Sequence, residues 1–120
     1  MTEFNLVHDA LVNDSATATL LGDRVRPVQA IQEDPLPFAV ISLVDVQPFN
    51  AVNGFAGLDM SEMQIDVWAS SMIDADTISR TARRALEAQG YVCVRHINDF
   101  FDAQLDPGIF RTGFVIRLFL

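Results

Sequence analysis

Between Ser61 and Ser70 the sequence alternates without a break. Met63, Ile65, Val67 and Ala69 fall on one side of an extended chain, and Glu62, Gln64, Asp66 and Trp68 on the other. Period two is the pleat of a β-strand, here with one face buried and one polar. A large aromatic, Trp68, sits on the polar face. Such a strand needs partners in a sheet and an apolar layer over its buried side.

Candidate partners lie before and after it. Phe38 to Val46 is apolar on both faces, as a central strand would be, and Pro48 is expected to stop it. Tyr91 to Ile97 reads as a strand. Ile109 to Leu120 reads as a long one, with Phe114, Ile116, Leu118 and Leu120 on one face and Val115, Arg117 and Phe119 on the other. Arg24 to Ile31 alternates loosely, and Pro27 confines it to an edge. Glu33 to Pro37 is a rigid turn.

Two helical patterns frame these strands. Thr2 is a plausible N-cap for a helix from about Glu3 to Asn13, with Phe4, Val7 and Leu11 at helical spacing; a further turn runs from Ala16 to Leu21 and ends at Gly22-Asp23. Asp74 can cap a second helix, Ala75 to Gln89, closed by Gly90. Its buried face is Ile78, Ala82, Ala85, Leu86 and Gln89. The order α-β-β-β-α-β-β predicts a single α+β domain over residues 1–120, a mainly antiparallel sheet of four to five strands with two helices packed on one face.

Composition narrows the function. The chain has 120 residues, half of them hydrophobic, so it can bury a core and is not disordered. Its apolar runs are too short and too broken to span a membrane. The first residues lack a basic n-region and an apolar h-region, so no signal peptide is expected. One cysteine, Cys93, excludes an internal disulfide. A net charge of −8 works against wrapping nucleic acid. All eight basic residues are arginine, which suits planar contacts at interfaces. A positive mean hydropathy, +0.24, fits apolar surface that meets another chain or a dense core.

No residue set carries an obvious reaction. Cys93 and His96 form Cys-x-x-His, but a zinc site needs more ligands than that pair supplies. Asp99, Asp102 and Asp106 lack the spacing of a calcium loop. Asp66 would need an acid–base partner, and His96 is the only candidate. Asn53 to Gly57 lacks the lysine of a phosphate loop, and no serine lies in a nucleophile elbow. No metal, cofactor or catalytic residue is therefore assigned. What stands out is Phe49 to Asp59, read as a connection too long for a tight turn and too apolar for an idle loop. Phe49, Val52, Phe55 and Leu58 would either fold back or dock on another subunit.

The order of elements, with Pro37-Phe-Ala-Val-Ile41, Gln64-Ile-Asp-Val-Trp-Ala69, Asp74 to Ile78 and Arg80-Thr-Ala-Arg-Arg-Ala-Leu86, resembles the tail completion, or tail terminator (head–tail joining), family of long-tailed phages and gene transfer agents. The resemblance covers nearly the whole chain. It implies a structural virion protein of the tail or neck, assembled in the bacterial host, with no cofactor and no enzymatic activity. It further implies a homo-oligomeric ring, commonly a hexamer, that caps the tail tube and joins it to the head connector while DNA passes through the lumen. The interface residues it points to are Phe49, Val52, Asn53, Phe55 and Leu58, with Trp68 and the helix arginines Arg80, Arg83 and Arg84. Two other readings compete: a small α+β enzyme using Asp66, His96 or the Asp99–Asp106 cluster, and a dimeric ligand-binding or adaptor protein.

Overall fold

The computed structural model describes residues 2–27, 35–51, 54–102 and 109–119; at Thr2, 47–51, 54–59, Asn98 and Asp102 it describes the backbone alone. The elements run α1 (Thr2–Val12), α2 (Ser15–Leu21), β1 (Val25–Pro27), β2 (Phe38–Ala51), β3 (Gly54–Ala69), α3 (Met72–Ala88), β4 (Val92–Asp102) and β5 (Ile109–Phe119). The five described strands form one sheet in the order β1-β2-β3-β5-β4. All neighbours are antiparallel except β1 with β2. The architecture is the expected α+β sheet, with the first helical region divided in two.

That division has a local cause. Asp14 adopts an extended conformation and its side chain accepts hydrogen bonds from the Thr17 amide (3.0 Å) and hydroxyl (2.8 Å), so a second helix starts there. Gly22, at φ 59°, ends it, and its amide donates to the Ala18 carbonyl at 2.8 Å.

All three helices lie on one face of the sheet. Met63, Ile65 and Val67 of β3 are fully buried there, with Ala39 and Ile41 of β2 and Phe114, Ile116 and Leu118 of β5. Against them pack Val7 and Leu11 of α1, Leu21 of α2, and Ile78, Ala82 and Leu86 of α3. The alanines of α3 keep its axis close to the sheet, as their size allows.

Three expectations need correction. Ser71, not Asp74, is the N-cap of α3: its hydroxyl accepts from the Asp74 amide at 3.1 Å, which places Asp74 in the first turn. Pro48 does not stop β2, which continues to Ala51. A proline is tolerated in an edge stretch, and β2 has no described outer neighbour at that level. Phe100 and Phe101 are not in a turn but in β4, facing Arg111 and Phe110 of β5 across a register shift after Ile97. A bulge absorbs the extra residues and lets the strand continue.

Candidate interaction surface

Residues 49–59 are mostly strand rather than loop. Phe49 pairs with Leu58, Asn50 with Phe55 and Ala51 with Gly54, so β2 and β3 make one long hairpin. Val52 and Asn53 lie outside the described residues, as do the side chains of Phe49, Phe55 and Leu58. Apolar content misled the loop reading because a hairpin arm needs the same residues as a docked loop.

The hairpin outruns the rest of the sheet. β5 pairs with β3 only over Met60–Ala69, and β1 pairs with β2 only over Ala39–Ile41. Beyond those limits, among the described residues, two strands continue without a further neighbour for about 20 Å. The molecule is accordingly long, 56 × 29 × 22 Å, with a radius of gyration of 15.1 Å against about 13.6 Å for a compact chain of this length. At the base of the arm Leu43, Val44 and Val46 are exposed. A two-stranded ribbon is marginal in water without something packed on it.

The sheet face opposite the helices is covered by no described element. Trp68 lies there as expected, at the centre of a cluster. Phe38 stacks on it at 6.4 Å, Phe100 meets it edge-on at 6.0 Å, and the Arg111 guanidinium sits 5.8 Å from its ring and 5.4 Å from that of Phe100. Aromatic and arginine side chains of this kind anchor many protein interfaces. Further toward the arm, Glu62 accepts from Arg117 at 2.8 Å and from Arg95 at 3.3 Å. The Arg117 hydrogen bond holds the Glu62 carboxyl below the usual range against the opposing effect of burial, with Arg95 assisting. Between the two groups lies Asp66. Burial pushes its carboxyl up, while hydrogen bonds from the Gln64 amide at 3.1 and 3.2 Å and the charge of Arg111 oppose the rise.

The helix arginines are engaged within α3. Arg80 pairs with Asp76 at 2.8 Å and Arg83 with Glu87 at 3.6 Å, both one turn apart, and Arg84 is exposed. Arg80 and Arg83 also line a shallow cleft of about 60 Å³ with His96 and Ser79.

The competing chemical sites do not come together. Asp66 lies on the open face, whereas His96 is in register with Phe114 on the helix side; there it contacts the Thr112 hydroxyl at 3.2 Å and Asp99 at 3.6 Å. The Cys93 thiol is directed to the Arg95 carbonyl at 3.9 Å. Among the described residues no three His, Cys, Asp or Glu side chains are grouped to hold a metal; Asp106 and the side chain of Asp102 lie outside them. No described helix is long and apolar enough to cross a membrane.

Residue-by-residue reading located the open face of β3 but missed its companions Phe38, Phe100, Arg95, Arg111 and Arg117. Alternation shows which side a residue faces. It does not show that β5 rather than β4 lies beside β3, and that order decides which side chains meet.

Comparison with known proteins agrees with this architecture. The fold is similar to a chain in the virion of a native gene transfer agent particle, with a TM-score of 0.58, 20% identity, and coverage of 92% of this chain and 88% of that one. No curated protein matches the chain significantly. A family model described as tail completion protein gp17 matches residues 5–110. The chain thus belongs to the tail completion protein gp17 family, structural proteins of the virion tail.

Proposed function

We propose that this chain is a tail terminator: identical subunits close into a ring, six by the family resemblance, that caps the tail tube and joins it to the head connector. The observation that carries the reading is the hairpin arm, two strands wide and apolar at its base, which extends past the layer that could cover it. A closed ring uses two different patches on each subunit. The arm supplies one, and a flank of the body supplies the other. The net charge of −8 suits a lumen that lets DNA slide without sticking. The ring acts by shape and contact and needs no bound cofactor, and its work is not catalytic.

Light scattering over a concentration series, with negative-stain images, tests this directly. Rings with a central hole, formed alone or on added tail tubes, are expected. A two-fold dimer at every concentration, unchanged by tail tubes, favours the adaptor reading and removes this one.

A further inference from the structure

Exposed apolar side chains gather at the two ends of this long molecule. Of the nine large ones among the described residues, Leu43, Val44 and Val46 lie at the base of the arm, and Ile73, Phe100 and Phe101 lie at the opposite end. The register fixes that placement. Phe100 and Phe101 pair with Arg111 and Phe110, which in turn pair with Trp68 and Ala69 at the close of β3; α3 opens three residues later, at Met72. Single apolar side chains scattered on a surface need no explanation, but a group at each end of the long axis does.

The end away from the arm is shaped to receive something. Ile73, 79% exposed, stands on the first turn of α3. Toward α2 that turn borders a cleft of about 240 Å³ with Leu20, Pro37, Ala69 and Ile78 in its walls. Toward β4 it borders a second cleft, of about 270 Å³, that reaches Asp99. Asp74 lines the first cleft and Asp76 the second, so an occupant must be apolar and free of negative charge. The arm meets both conditions. From Val46 to Leu58 thirteen successive residues carry no charge, in a chain of net charge −8, and Gln47 and Asn50 bring amides that can donate to carboxylates. The arm cannot reach these clefts on its own subunit: about 26 Å of strand separates its base at Ser61 from Ala69, more than its own length of about 20 Å. Its edges are also poor templates for a further strand. Pro48 lacks an amide proton in β2, and the register passes over Ala56-Gly57 in β3. Docking through side chains remains.

We infer that the arm of one subunit docks on the opposite end of a second copy, with Ile73 and the two clefts beside it as the receiving surface. The contact covers the ribbon of one subunit and the most exposed apolar side chain of the next. Two unlike ends make it heterologous, so that repeated head to tail it closes a ring rather than a dimer. This inference names the flank that receives the arm, and it rests on the ring reading above.

Paired cysteines provide the test. Asn50→Cys and Ile73→Cys are combined in a Cys93→Ser background and treated with a short bismaleimide cross-linker, alone and with tail tubes, with mass measured on the same samples. Intersubunit links are expected, as a covalent ladder ending at the subunit number of the ring. Asn50→Cys with Leu6→Cys, an exposed position on α1, is expected to give none. Ile73→Asp alters a side chain that lies almost wholly in water in the single subunit, so it should leave the thermal midpoint of the monomer in place and weaken self-association by about tenfold or more. Rings that form without the link between Asn50→Cys and Ile73→Cys, or that Ile73→Asp leaves at full strength, overturn the end docking and leave the ring reading standing. Monomers under every condition overturn both.

Discussion

Gly113 occupies a position on β5 where a side chain has no room. A Cβ there would collide with the Ile65 carbonyl oxygen and lie 2.9 Å from Ile97 Cδ1. Gly113→Ala should therefore cost about 1–3 kcal/mol of stability in urea unfolding, the usual range for overpacking. The carboxylates of the open face behave in opposite ways. Asp66 has a raised pKa, so the folded chain holds that proton more tightly than the unfolded one. Stability from this group falls as pH rises through the window between the ordinary aspartate value and the raised one. Glu62 has a lowered pKa, and its contribution, complete above the ordinary glutamate range, is lost as pH falls through the native value. Urea midpoints measured from pH 3 to 7 should separate them. Asp66→Asn should be as stable as the parent or more so at neutral pH, with the difference shrinking on acidification. Glu62→Gln should lose stability at neutral pH and flatten the acid limb.

At the scale of elements, α3 follows β3 and packs its apolar face on the core. It starts where β3 ends, and its first turn depends on the Ser71 cap. Ser71→Ala should lower stability by about 1 kcal/mol, and Ser71→Asp should restore most of it, both read from thermal midpoints. The element boundaries show how far local pattern reaches. The heart of α3 follows from Ile78, Ala82 and Leu86 at helical spacing, and Gly90, at φ 91°, marks its end as its residue type suggests. The start was misplaced by three residues because Ser71 and Asp74 are both good caps, and only the chain's exit from β3 selects between them. Similarly, Pro48 and the acidic stretch after Ile97 looked like strand ends. Each lies on an outer strand, where a proline or a bulge costs little because no ladder bond on that side is lost.

Over the whole molecule the separation is between a compact body and a projecting arm. The body holds the described core, from Val7 to Leu118. The arm adds strand length with no layer upon it among the described residues. Replacing residues 47–58 with a short glycine-containing turn should leave the stability of the isolated subunit within about 1 kcal/mol. The same change should abolish ring formation, as seen by light scattering. A large loss of monomer stability would instead mean that the arm packs back on its own body.

The sequence by itself determined the elements and their sidedness. Side-chain periodicity is local, so the alternation of Ser61–Ser70 and the helical spacing in α3 fix which residues are buried wherever those elements end up. It also marked Trp68 and the apolar stretch around Phe49–Leu58 as surface to account for. Only the tertiary structure decided that this stretch extends a hairpin, that β5 separates β3 from β4, and that Trp68 meets Phe100 and Arg111 while Glu62 meets Arg95 and Arg117. Strand order and register arise from contacts between residues far apart in the chain, and they depend on how every strand competes for neighbours. No single segment carries that information, and the sheet settles it only as a whole.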